Sequence, residues 1–92
     1  MAQDMKEVIL FTMKFCPYCV NAKRYMKKIF KENPEFKDVP LRIVDENVES
    51  DFARRFDYYY VPTYFVDGVK VHEGVPTKEI VEEVFKTAYS AG

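Results

Sequence analysis

The chain has two cysteines, one histidine, three glycines and no tryptophan in its 92 residues. Two cysteines and one histidine fall short of the four ligands of a tetrahedral zinc site. The same count excludes the multi-bridge disulfide framework of small secreted domains. No apolar run approaches the ~20 residues of a membrane-spanning helix, so no membrane role is expected. A net charge of −1 supplies no basic stripe, and no nucleic-acid partner is expected either. Internal repeats, low-complexity tracts and linkers are also missing. What remains is a 48% hydrophobic chain of one-domain length, 1–92, whose core must come largely from eight Phe and seven Tyr.

Both cysteines fall in one short stretch, Phe15-Cys16-Pro17-Tyr18-Cys19. The elements around it are legible. Glu7–Thr12 is an apolar run of strand length, suited to burial on both faces. Pro17 fits the first position of a helix, and Cys19, Ala22, Met26, Ile29 and Phe30 then recur at helical spacing as far as residue 32. Asn33-Pro34 stops that helix, whose other face carries Lys23, Arg24, Lys27, Lys28 and Lys31. Val39–Glu46 reads as a second strand, and Val48, Phe52 and Phe56 predict a short helix over 47–57. Two runs, Pro62–Asp67 and Val69–Glu73, join through Asp67-Gly68 as a hairpin. A closing helix over 77–89 follows, with Thr77 as its cap. The order β-α-β-α-β-β-α predicts an α/β fold with a four-stranded mixed sheet and three helices.

A strand feeding a helix that opens with C-x-x-C puts both sulfurs at the positive end of the helix dipole, where a thiolate is stabilised. Cys16, at the helix start, is expected to be the better exposed nucleophile, and Cys19, pointing under the first turn, the resolving thiol. Three other readings of the pair stand beside this redox reading. A zinc site or an iron–sulfur cluster shared between chains would make the protein a non-enzymatic binding module. A permanent disulfide over so short a loop would constrain the unfolded chain little. The amino-terminal run Val8–Phe11 is far shorter than a signal-peptide core, so the protein is expected in the cytoplasm, where paired cysteines serve catalysis or metal binding rather than stapling.

C-x-x-C beside a βαβ pattern is itself the sign of a thioredoxin-like redox motif. The chain resembles a small glutaredoxin-like member of the thioredoxin superfamily over nearly its whole length, through Cys16-Pro17-Tyr18-Cys19, Val61-Pro62-Thr63, the Asp67-Gly68 hairpin and the closing helix. The resemblance implies a thioredoxin-like fold in minimal glutaredoxin form. It implies a dithiol–disulfide oxidoreductase that acts as a monomer on disulfide-containing protein substrates and needs no cofactor beyond Cys16 and Cys19. It also implies that Pro62 is cis and lies against the cysteines, and that Val61 offers backbone groups to an extended substrate, with Tyr18 and Tyr60 flanking it. Lys14 matches a basic residue with which many glutaredoxins hold a glutathione carboxylate. Glutaredoxins typically add a Gly-Gly pair and an Asp that hold the other end of glutathione. Here His72-Glu73-Gly74-Val75-Pro76-Thr77 keeps only Gly74 and places Glu73 where its charge would repel the tripeptide. Thioredoxins carry a buried acid and a Trp where this chain has Leu10 and Phe15. The reductant is therefore expected to be a thioredoxin-reductase-type flavoenzyme or glutathione, with the missing half-site favouring the flavoenzyme.

Overall fold

The computed structural model describes residues 5–89. Its sheet has four strands, the second in chain order at one edge, followed by the first, the third and the fourth. The first strand, β1 (Val8–Thr12), is buried at every position, as its continuous apolar run predicts for a strand covered on both faces. Its one polar side chain is satisfied, since Thr12 Oγ1 donates to the Val44 carbonyl at 3.2 Å. Helix α1 (Pro17–Glu32) starts at the proline and buries Cys19, Ala22, Met26 and Ile29 on one face. Asn33 ends it by turning both its backbone N–H and its side-chain amide onto the Ile29 carbonyl, at 2.8 and 3.3 Å.

Pro34 stops α1 as expected, yet the chain continues into a 3-10 turn over Pro34–Asp38. Proline suits the first position of such a turn as it does that of a helix, and burial of Phe36 holds the turn in place. Strand β2 (Leu41–Asp45) then pairs parallel to β1 with Val8 opposite Leu41. The helix expected over 47–57 contracts to one turn, α2 (Ser50–Ala53). Residues 47–49 drop out because Asp45 captures that backbone locally, and beyond Ala53 the chain leaves the helix in tight turns, with the Arg55 N–H on the Phe52 carbonyl and the Phe56 N–H on the Ala53 carbonyl. The Asp45 carboxylate accepts from the Asn47 N–H at 2.9 Å, and the Asp45 carbonyl accepts from Val48 and Glu49. Val48, expected on the inner face, is 73% exposed, while Phe52 and Phe56 pack inward.

Strands β3 (Thr63–Val66) and β4 (Val69–Glu73) form the predicted hairpin. Its turn residues Asp67 and Gly68 both take positive φ, at 53° and 81°, the geometry that matches the twist of a tight hairpin. Helix α3 (Lys78–Tyr89) is capped as expected, with Thr77 Oγ1 accepting from the Ile80 N–H at 3.1 Å.

Each face of the sheet carries its own core. On one side α1 and α3 cover Val8, Leu10, Tyr64 and Val66. On the other, Phe11 is enclosed by Phe52, Phe56, Tyr58 and Phe65, with ring centroids 4.8 to 6.2 Å away. The register sets the site. Because β1 and β3 run antiparallel with Phe11 opposite Thr63, the exit of β1 lies beside the entry of β3. The Cys16 loop and the Val61-Pro62 loop therefore meet at one end of the sheet.

Candidate active site

Cys16 caps α1 in extended geometry, at φ −104° and ψ 105°, and its Sγ accepts from the Cys19 N–H at 3.2 Å. One of the unpaired amides of the helix start thus faces the sulfur, which suits it to carry negative charge. Both cysteines are enclosed, Cys16 at 9% exposure and Cys19 at 3%. The difference runs in the expected direction, although Cys16 is less open than its place in the sequence suggests.

The two thiols differ in their setting. Burial pushes Cys19 up to about 12, followed by its hydrogen bond to Cys16 and the Cys16 charge, while the Met13 backbone and Lys23 act in the opposite sense. A thiol held up in this way keeps its proton near neutral pH.

The chain reaches Cys16 through Phe15, whose φ of 60° is left-handed and whose ring is 99% exposed. A non-glycine residue in that region costs about 1 to 2 kcal/mol, and such strain gathers at functional turns. In the sequence Phe15 is visible only as a replacement for tryptophan. A bulky residue just before the motif was the available signal, but its exposure is a tertiary property.

Across the sheet end, the Val61-Pro62 bond is cis and the Val61 carbonyl lies 3.9 Å from Cys16 Sγ. Pro62 and Thr63 are buried, and Thr63 Oγ1 donates to the Tyr60 carbonyl. Gly74, at φ 103°, donates its N–H to the Pro62 carbonyl at 2.9 Å. Pro17 and Tyr18 lie exposed on the first turn of α1, and Tyr59 and Tyr60 are exposed on the loop before Val61. Tyr58 alone of the three tyrosines turns inward, stacking on Phe11 and donating to Glu46 at 2.8 Å. The structure thus brings together Cys16, Cys19, Val61 and Pro62, ties Gly74 to them through the backbone, and leaves Lys14 exposed without an ion pair among the described residues.

Glu73 takes a role that its place in the sequence does not show. Instead of standing free to repel a ligand, its carboxylate accepts from the Tyr60 N–H at 2.8 Å, from the Tyr59 N–H, and from Lys70 Nζ at 2.8 Å. Lys70 first, then the two amides, hold its carboxyl down to about 2. The end of β4 therefore anchors the loop that presents Val61. Only the spacing of Lys70 and Glu73 hinted at this, since contact with the amides of residues 59 and 60 depends on the fold.

Among the described residues no three His, Cys, Asp or Glu side chains group as metal ligands, and no helix is long and apolar enough to cross a membrane. A surface cavity of about 380 Å³ is lined by Glu46, Ser50, Arg54 and Tyr58 among others and includes neither cysteine.

A strand–helix junction that sets two cysteines against a cis-proline loop is the site of a dithiol protein of the thioredoxin superfamily. A family model for the thioredoxin domain matches residues 5–86. A thioredoxin of Methanocaldococcus jannaschii is 34% identical over 80 residues, spanning 87% of this chain and 92% of that one. The solution structure of an uncharacterized thioredoxin-like protein from Clostridium perfringens superposes with a TM-score of 0.69 at 25% identity, over 95% of this chain and 73% of that one. A Malassezia sympodialis thioredoxin shares the fold, with a TM-score of 0.72 at 22% identity over 97% of this chain and 79% of that one. The chain belongs to the thioredoxin-domain family. Together with the adjacent cysteines, that membership makes it, in general terms, a thiol–disulfide oxidoreductase.

Two expectations follow. Because Cys19 ionises only toward about 12, it should resist iodoacetamide at pH values where Cys16 reacts, and Cys16→Ser, which removes the neighbouring charge, should lower the pH at which Cys19 ionises. Absorbance of the thiolate during a pH titration checks both, and equal labelling of the two thiols across the range would contradict the asymmetry. Second, Glu73→Ala should speed amide hydrogen exchange at Tyr59 and Tyr60 by about tenfold or more, since both lose their acceptor. Unchanged exchange at those amides would show that the loop holds without Glu73.

Proposed function

We propose that the protein reduces disulfides in protein substrates by a two-thiol exchange through Cys16 and Cys19. The observation that carries this reading is the setting of Cys16 Sγ, which faces the Cys19 N–H on one side and the Val61 carbonyl on the other. The Cys16 thiolate attacks one sulfur of the substrate disulfide, forming a mixed disulfide and expelling the other sulfur as a thiolate. Cys19 then loses its proton and attacks Cys16 Sγ. The Cys16–Cys19 bond forms, the bond to the substrate breaks, and the departing sulfur takes the electron pair and a proton. The substrate gains two electrons and the cysteine pair loses two.

The raised Cys19 fits this order. Two of the causes that hold its proton on are the hydrogen bond to Cys16 and the Cys16 charge, and both vanish once Cys16 is bonded to substrate. The resolving thiol therefore becomes easier to ionise when it is needed.

The surroundings favour proteins as substrates. Phe15, Tyr18 and Tyr60, at 99%, 49% and 70% exposure, present apolar surface beside the cysteines. Exposed aromatics are common anchors of protein interfaces. We further propose disulfide-containing proteins as the substrates, which the exposed aromatics support, and a monomer that works in the cytoplasm with no cofactor beyond the cysteines.

For the reductant we favour a thioredoxin-reductase-type flavoenzyme over glutathione. A glutathione site would draw on backbone and charge near the end of β4, and there the Gly74 N–H is committed to Pro62 while Glu73 is committed to the tyrosine loop. Losing two or three charge-assisted hydrogen bonds at ~1.5 to 3 kcal/mol each weakens binding by at least about two orders of magnitude. NADPH consumption should be faster with a thioredoxin reductase than with glutathione plus its own reductase, and both should cease in Cys16→Ser. Efficient turnover with millimolar glutathione and none with the flavoenzyme would reverse this choice of donor, and activity surviving Cys16→Ser would remove the mechanism.

A further inference from the structure

Tyr64 is fully buried, and its hydroxyl is the one buried side-chain polar atom without a hydrogen-bond partner among the described residues. Placing a phenol there carries a penalty that phenylalanine would avoid, because an unpaired buried hydroxyl loses its water and gains nothing. Such a group calls for a reason. We propose that the Tyr64 hydroxyl is the hydrogen-bond donor that receives the Cys19 thiolate when Cys19 resolves a mixed disulfide, an inference that rests on the role given to Cys19 above.

The residues paired with Tyr64 and packed around it offer its hydroxyl no free polar partner, and Cys19 is the ionisable group on the helix face turned toward this core. On β1 its register partner is Leu10, which offers no polar atom. On β4 its partner is His72, whose ring Nε2 lies 3.0 Å from the Val75 carbonyl and 3.3 Å from that of Gly74, and is thereby engaged with the turn after β4. From α3 the same core receives Val81, Val84, Phe85 and Ala88, all apolar. From α1 it receives Ala22 and Met26, and Cys19 lies on that same buried face one turn earlier. Burial first, and after it the charge of Cys19, hold the proton on the Tyr64 hydroxyl. The phenol is therefore a neutral donor throughout the cycle and never a base.

The cycle gives that donor its moment. In the dithiol protein burial first, and then Cys16, keep the proton on Cys19, and the Tyr64 hydroxyl has no negative sulfur to meet. With Cys16 bonded to substrate, Cys19 ionises in an interior where the Met13 backbone and Lys23 are the other groups that favour its charge. Donation from Tyr64 stabilises this thiolate. The Cys19 thiolate then attacks Cys16 Sγ, and the proton that Cys19 gave up goes to the departing substrate sulfur through solvent. Tyr64 keeps its own proton and forms no bond.

The test uses the whole chain and Tyr64→Phe, which removes the hydroxyl and keeps the ring. With a bis(carboxynitrophenyl) disulfide, attack by Cys16 releases one coloured thiolate and resolution by Cys19 releases the second. Tyr64→Phe should leave the first phase unchanged and slow the second about tenfold near neutral pH, with the difference narrowing as pH rises and ionises Cys19 regardless. In a Cys16→Ser background, adding Tyr64→Phe should raise the pH at which Cys19 ionises by about one unit. If Tyr64→Phe raises the melting temperature but moves neither the second phase nor the Cys19 titration, the hydroxyl is an unsatisfied group and the proposal is overturned. A first phase that survives Cys16→Ser would instead refute the cysteine roles, and the Cys19 titration would still decide the place of Tyr64.

Discussion

The antiparallel register of β1 with β3 is the constraint on which the site depends. Phe11 opposite Thr63 fixes the end of β1 beside the start of β3, and everything chemical in the molecule follows from that adjacency. A slip of one residue would turn Phe11 and Leu10 to opposite faces and exchange the two cores. The register is held by burial on both sides. Leu10 and Tyr64 meet α1 and α3, while Phe11 and Phe65 meet the aromatic group of Phe52, Phe56 and Tyr58. Each face of β1 therefore rejects the other alignment.

Upon that frame two chemically identical side chains become different reagents. Cys16 sits at the helix cap with an amide aimed at its sulfur, and Cys19 sits one turn in, where burial opposes its charge. Three residues of spacing on a helix produce this difference, since a position at the cap meets free N–H groups and a position on the inner face meets the core. The apolar surface around the pair is built from the same turn: the left-handed Phe15 throws its ring outward just before the chain turns into α1.

The opposite wall of the site is held by polar contacts between distant segments. Glu73 and Gly74, at the end of β4, take the Tyr59 and Tyr60 amides and the Pro62 carbonyl, so the loop that presents Val61 is fastened to a strand rather than left to fluctuate. A carboxylate that reads as a repulsive surface charge in the sequence is, in three dimensions, an acceptor for two amides and a lysine. The basic face of α1 shows the reverse case. Lys23, Arg24, Lys27, Lys28 and Lys31 read as exposed and are exposed, without ion pairs among the described residues.

Local pattern alone determined the element order, the start of α1 at Pro17, the hairpin turn at Asp67-Gly68, the Thr77 cap and the cysteine pair at a helix start. Each of these depends on a few neighbouring residues and their backbone preferences. Helix α2 starts later than expected because Asp45, just outside the expected helix, competes for its amides, and it ends earlier because the amides of Arg55 and Phe56 close tight turns instead. The resemblance of Val61-Pro62-Thr63 to a family loop pointed to the second wall, but its distance to Cys16 is set across 45 residues of chain. Tertiary structure alone decided the anchoring by Glu73, the exposure of Phe15, the enclosure of Cys16 and the unpaired hydroxyl of Tyr64. Burial and partnership are properties of what other segments bring to a residue, and no local pattern carries them.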